Sequence, residues 1–276
     1  MHSTALLLAV MLTSASAFAQ QHAGHVPEHG AVVEPWSEQP LIVALPGQRG
    51  ERGAVRFQLL GLAASEIRVF GPRGGEQAFP VTDGEARLQS PPPASGNYHW
   101  LQARAETPER VAVASTVWYA SNPGPAPSEW LARVRSELEI VPDPLPREHA
   151  HYRESEKWRF IVRYAGQPLA GQKLNMVTEA GTRTTFVSDE QGVATALFPR
   201  DFPPDADGQE GHRRPRLGFV LTTERHDDAR HFVTSFNYIY TPDGERGRSL
   251  GWGATFVLVG MLGALPLLRR RNGKES

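Results

Sequence analysis

Residues 157–164 alternate, with Trp158, Phe160, Val162 and Tyr164 interleaved with Lys157, Arg159, Ile161 and Arg163. Successive side chains of a β-strand point to opposite faces, so a period of two builds a strand with one core-facing side and not the stripe of a helix. The next segments have the same character. Gly166 to Gly171 form a turn into 172–178, Gly181 opens 182–188, and Asp189-Glu190-Gln191-Gly192 turns into 193–198. These runs read as a meander. Together with 137–141, 217–223 and 232–240 they give about seven strands, the count of an immunoglobulin-like sandwich.

The first half reads similarly, with β-rich runs at 41–45, 54–60, 66–70, 85–88, 98–104 and 111–119 separated by Gly, Pro and Asp. The 26 glycines and 23 prolines suit many short strands better than a few long helices. Ser95-Gly96-Asn97-Tyr98-His99-Trp100 has the pattern of a tyrosine corner, in which Tyr98 ties down a loop and Trp100 fills the core. His99, one step out of phase, then faces solvent. Prolines 123, 125 and 127 mark a semi-rigid linker, followed at 128–135 by one or two helical turns with Ser128 as N-cap and an apolar face of Trp130, Leu131 and Val134.

The two ends set the expected topology. The apolar run 5–12 followed by small residues at 13–19 has the grammar of a secretion signal, cleaved after Ala19 or, in competition, after Ala17. Residues 249–268 carry no charge, match the length of a bilayer span and lead directly into Arg269, Arg270, Arg271 and Lys274, which orients the C-terminus to the cytoplasm. A sorting tail removed during surface transfer is the other reading of this segment. The expected organisation is a signal peptide at 1–19, a histidine-containing leader at 20–38, a first sandwich at 39–121, a linker at 122–136, a second sandwich at 137–242, a transmembrane helix at 249–268 and a basic cytoplasmic tail at 269–276. The fold class is thus all-β, two tandem immunoglobulin-like β-sandwiches plus one C-terminal transmembrane helix. The body would lie in the periplasm on a single-pass inner-membrane anchor.

Composition removes several chemistries. No cysteine is present, which excludes disulfides, zinc-thiolate sites, iron–sulfur clusters and thiol nucleophiles. A formal net charge of -1 gives no general basic surface for nucleic acid. There is no Gly-x-Ser-x-Gly elbow, no phosphate-cradling loop and no His-Glu-x-x-His helix, so the chain is expected not to be an enzyme.

The strand, Gly-x-Pro-Leu-x-Gly turn, strand and Asp-x-x-Gly turn of 157–198 resemble the second domain of a bacterial periplasmic family that includes components of nickel and cobalt uptake. The same turn grammar occurs in prealbumin-like and carboxypeptidase-regulatory-like sandwiches. The resemblance implies a signal peptide, two β-sandwiches, a C-terminal membrane helix and histidine ligands for metal near the mature N-terminus, where only His22, His25 and His29 correspond.

Those histidines also stand out on their own. With cleavage after Ala19, Gln20 supplies the free amine and His22 becomes the third residue. Amine, two backbone amides and imidazole then make a square-planar nitrogen site suited to Cu(II) or Ni(II), with His25 and His29 as further donors. A flexible polar leader with incidental histidines is the alternative. His149 and His151, at i and i+2, form a weaker candidate pair, and a solvated loop is its alternative. His212, His226 and His231 lie in polar or turn-like stretches, and Asp227 with Asp228 reads as a charged hairpin tip or a weak cation site. The expected function is a membrane-anchored periplasmic binding or accessory protein for transition-metal (nickel, cobalt or copper) uptake or homeostasis. It would work beside an inner-membrane transporter or other envelope protein; the competing expectation is an envelope scaffold that binds no metal.

Overall fold

The computed structural model describes residues 35–46, 53–92, 95–124, 126–147, 150–204, 215–227, 230–244 and 261. The signal, most of the leader, the basic tail and all of the expected membrane segment but Met261 lie outside them. Among the described residues no helix is long and apolar enough to cross a membrane.

The protein is all-β. The first half contains β1 (Leu41–Ala44), β2 (Ala54–Leu60), β3 (Glu66–Phe70), β4 (Glu76–Thr82), β5 (Glu85–Gln89), β6 (Tyr98–Glu106) and β7 (Arg110–Tyr119). A short helix α1 (Ser128–Ala132) follows. The second half contains β8 (Leu138–Pro142), β9 (Tyr152–Arg153), β10 (Lys157–Tyr164), β11 (Gln167–Pro168), β12 (Lys173–Thr178), β13 (Arg183–Val187), β14 (Val193–Leu197), β15 (Leu217–Asp227) and β16 (Arg230–Thr241).

The two halves share one sheet. Strands β3, β6 and β7 continue through a parallel pairing of β7 with β16 into β15, β12 and β13. Strands β1, β2 and β5 pack on one part of this sheet, and Ile42, Phe57, Leu59 and Leu88 close a core with Ile67, Val69, Leu101 and Ala114. A second sheet, with β10 between β8 and β14, closes the larger core, where Phe160, Phe219, Phe236 and Tyr240 meet Trp100, Val111 and Val113 from the first half. Strand β6 therefore sends Trp100 into one core and Leu101 into the other.

Burial on both faces explains the sequence of the joint. Val111 to Val117 and Phe232 to Asn237 are buried without a break, as expected of strands covered on both sides. Four of the polar members bond backbone groups across the joint. Asn237 accepts from Ile42 N–H at 3.0 Å and donates to Ile42 O at 2.9 Å. Ser235 Oγ donates to Pro40 O at 2.6 Å, Ser115 Oγ to Ser235 O at 2.8 Å, and Thr116 Oγ1 to Asn237 O at 2.7 Å. These bonds tie β1, β7 and β16 together, and both halves belong to one compact unit.

Several sequence expectations need correction. The run after β10 is not a meander: β12 and β13 form a hairpin in the shared sheet, and the chain then returns so that β14 pairs with β10. Strand β4 was not expected, because Pro80 interrupts its run. Val81 N–H bonds Ser65 O at 2.8 Å, so in this ladder the position of Pro80 opposite Glu66 would aim its N–H away from β3, and no bond is lost there. The same strand turns the corner between sheets, pairing with β3 up to Pro80 and with β5 at Val81 and Thr82. Ser128 is the first helical residue and not the cap, Pro127 occupies the cap position, and Val134 is exposed while Trp130 and Leu131 are buried.

The segment after the prolines is fixed by charge as well as by apolar contact. Arg163, on the supposedly solvent-facing side of β10, is buried because it pairs with buried Glu139 at 2.6 Å. Its guanidinium also donates to Ala132 O at 2.9 Å and to Arg133 O, satisfying carbonyls at the end of α1. Glu139 in turn accepts from the backbone N–H of Arg135 at 2.9 Å. Removing either partner would leave a buried charge unpaired.

The turn before β14 shows how tightly this half closes. Asp189 Oδ1 accepts from Gln191 N–H and Val193 N–H, and Gly192, at φ +73°, sits where an added Cβ would come within 2.8 Å of Val162 O and 2.9 Å of Leu169 N. Gly192→Ala should therefore destabilise the fold by more than about 2 kcal/mol in urea titration, combining left-handed strain with backbone overlap; an unchanged midpoint would contradict this packing.

Candidate functional site

The joint between the halves floors an open groove of about 780 Å³, within the size range of ligand clefts. Its aromatic walls come from distant parts of the chain: Trp36, Trp118 and Tyr119 at the end of β7, and Tyr238 on β16. Trp36 packs against Gly218, where an added Cβ would come within 2.8 Å of the indole ring, and the Gly218 N–H donates to Glu179 Oε2 at 2.7 Å. Trp118 meets Phe57 edge-on at 5.8 Å, Tyr119 packs on Tyr98 at 5.1 Å, and Tyr238 meets buried Tyr152 at 5.9 Å. The rings are thus held from behind by core aromatics.

Arg147 and Arg216 are exposed at the groove, and no salt bridge among the described residues engages either. Burial pushes the phenol of Tyr238 up to about 12, so it stays neutral and can serve as donor or acceptor. A cleft with aromatic walls and uncommitted guanidinium groups suits a ligand with apolar side chains and a carboxylate.

Of the sequence-derived metal candidates, Gln20, His22, His25, His29 and His149 lie outside the described residues. His151 is half-buried and lines the groove. Among the described residues no group of three or more histidine, aspartate or glutamate side chains is placed to hold a metal ion. The aromatic groove was not found from sequence, because its residues converge only through the β7–β16 pairing.

The tyrosine expectation is met in a different place. Tyr98 OH donates to Pro146 O at 2.8 Å, tying down a loop of the second half, and Trp100 is fully buried, stacked on Phe236 at 5.6 Å. His99 does face the other side of the sheet, but that side is covered: the residue is 4% exposed and its ring lies 5.8 Å from Trp118. The expectation of a solvent-facing His99 fails because β6 is interior to both cores. Burial holds its imidazole below the usual 6.5.

No family model matches the chain, and no curated protein matches it. Solved structures give distant matches. An Escherichia coli alpha-2-macroglobulin activated by porcine elastase is 11% identical at a TM-score of 0.26, over 69% of this chain and 18% of that one. A DUF4785 family protein from Legionella pneumophila is 14% identical at 0.26, over 74% and 57%. A two-domain fibronectin type-III segment of chicken tenascin is 10% identical at 0.21, over 73% and 98%. The chain spans less than a fifth of the alpha-2-macroglobulins it matches, 18% and 14%. At these identities and TM-scores the likenesses carry no argument about function.

The buried His99 has a pH consequence. Its folded-state pKa is depressed, so as pH falls through 6.5 the unfolded chain takes up a proton that the folded chain does not, and stability is lost with a slope of up to about 1.4 kcal/mol per pH unit. His99→Phe should flatten the urea stability profile between pH 7 and pH 5 relative to wild type; an equal slope in both proteins would show that His99 is not the responsible group.

Proposed function

We propose that this chain is a non-enzymatic, membrane-tethered periplasmic binding module. In this reading its aromatic groove receives an extended, acidic and partly apolar segment of an envelope protein such as an inner-membrane transporter. The observation that carries the reading is the convergence of Trp36, Trp118, Tyr119 and Tyr238 with Arg147 and Arg216 over the sheet joint. Tryptophan, tyrosine and arginine are the residue types that dominate protein-binding hot spots. A groove floored by strands held from both sides is pre-organised, which lowers the entropy lost on binding. The tether would keep the groove near membrane partners and raise their effective concentration.

A second reading rests on the leader. Gln20, His22, His25 and His29 offer a nitrogen-rich site for nickel, cobalt or copper, and a tethered leader of this kind would hand the ion to a transporter. The two readings place the active feature in different parts of the chain, so they separate by experiment.

Tryptophan fluorescence of the full-length protein in detergent, titrated with an acidic apolar peptide and its lysine-for-carboxylate counterpart, should show saturable binding of the acidic peptide only. Affinity should fall at least about tenfold in Arg147→Glu/Arg216→Glu and in Trp36→Ala, as expected for loss of a hot spot, and persist when residues 20–30 are deleted. Equal binding of both peptides, or indifference to the groove substitutions, would overturn the groove reading. Metal binding lost with His22, His25 and His29 would support the leader reading.

A further inference from the structure

At the end of the shared sheet where β7 begins, near the tip of the β15–β16 hairpin, His226 stands directly opposite His231. The His231 N–H donates to Glu109 O at 2.8 Å, toward the strand on its other side. The 226/231 pair is therefore one that exchanges no backbone bonds with its opposite strand, the type in which Cα atoms approach most closely, at about 4.5 Å. The two imidazoles lie face to face, with centroids 4.1 Å apart and planes 1° apart.

Glu224, two residues before His226 and on the same face of β15, places Oε2 3.0 Å from His231 Nε2. A carboxylate there fixes the tautomer: Nε2 carries the proton and donates, while Nδ1 keeps its lone pair. This is the arrangement in which an outer carboxylate orients a metal-binding imidazole. Among the described residues, the charges on the other side of the hairpin near the tip are committed elsewhere. Asp227 accepts from Tyr164 OH, Arg225 lies over the Tyr164 ring at 4.7 Å, and Arg230 pairs with Glu106, all on the opposite side of the hairpin. On the histidine side, among the described residues, Arg110 lies beside His231 in the parallel register, and the β12–β15 register carries Lys173 to a place opposite Glu224.

We infer that His226 and His231 form a two-imidazole chelate for a borderline transition ion such as Cu(II), with Glu224 as the positioning carboxylate and water completing the coordination. Imidazole suits Cu, Ni and Zn, and Cu(II) stands highest in affinity among the divalent ions. The site uses none of the leader histidines and none of the groove residues. Its side chains are exposed or half-buried, and the broad χ2 well of histidine lets the rings rotate out of the stacked arrangement until their lone pairs converge on one ion.

The test uses the full-length protein in detergent with His22, His25 and His29 changed to Gln, so that the leader does not contribute. Calorimetric titration with Cu(II) should give one saturable equivalent, and the electron paramagnetic resonance spectrum should show coupling to two imidazole nitrogens. His226→Gln/His231→Gln on this background should abolish that equivalent without changing the far-ultraviolet circular dichroism. Glu224→Gln should weaken it by about tenfold or more, the usual effect of losing a carboxylate behind a ligating histidine. Absence of a saturable equivalent in the parent, or its persistence in the double variant, overturns the site. The leader reading fails separately, if wild type and the leader variant take up the same number of ions.

Discussion

The parallel pairing of β7 with β16 is the constraint on which everything else depends. It converts two stretches of β-strand into one sheet, and a sheet covered on opposite faces at its two ends needs strands in the middle that are apolar on both sides. Val111 to Val117 and Phe232 to Asn237 meet that demand, with Ser115, Thr116, Ser235 and Asn237 bonded to backbone groups across the joint. A parallel pair cannot be closed by a hairpin and needs a long crossover. Here the crossover is the whole of the second half up to β16, so this contact is among the most distant in sequence and closes late in any folding order that builds local hairpins first.

The joint also places the surfaces a ligand would meet. Trp118 and Tyr119 emerge where β7 leaves the doubly covered region, Tyr238 emerges at the matching position of β16, and Trp36 is held against Gly218 on the neighbouring strand. At the other end of the joint, where β7 begins, the tip of β15 and β16 displays His226 and His231. One register therefore fixes the aromatic groove at one end and the histidine-bearing hairpin tip at the other.

The alternating strand at 157–164 and most strand positions were legible, because period two and Gly/Pro punctuation are local signals. The topology was not. Turn grammar gives a meander, whereas the crossing between sheets is a matter of long-range pairing, of β12 with β13 and β15 in one sheet and β14 with β10 in the other. Arg163 was misread because its partner Glu139 lies 24 positions away. Trp100 was placed in a core correctly, whereas His99 was assigned to solvent on the assumption that a strand has one wet face. The unbroken burial of 111–117 carried the clue to the contrary, in the run Val-Ala-Val-Ala-Ser-Thr-Val. The groove and the histidine pair depend on long-range register, which no local pattern encodes.

The central claim is that the two halves form one cooperative body through the β7–β16 joint. Native-state hydrogen exchange across a denaturant series tests it most directly. Amides of β6 and β7 and those of β15 and β16 should merge into a single slowest-exchanging class that opens only with global unfolding. Exchange of β6 and β7 through a separate, lower-energy opening while β15 and β16 stay protected would contradict it and describe two independent sandwiches on a linker.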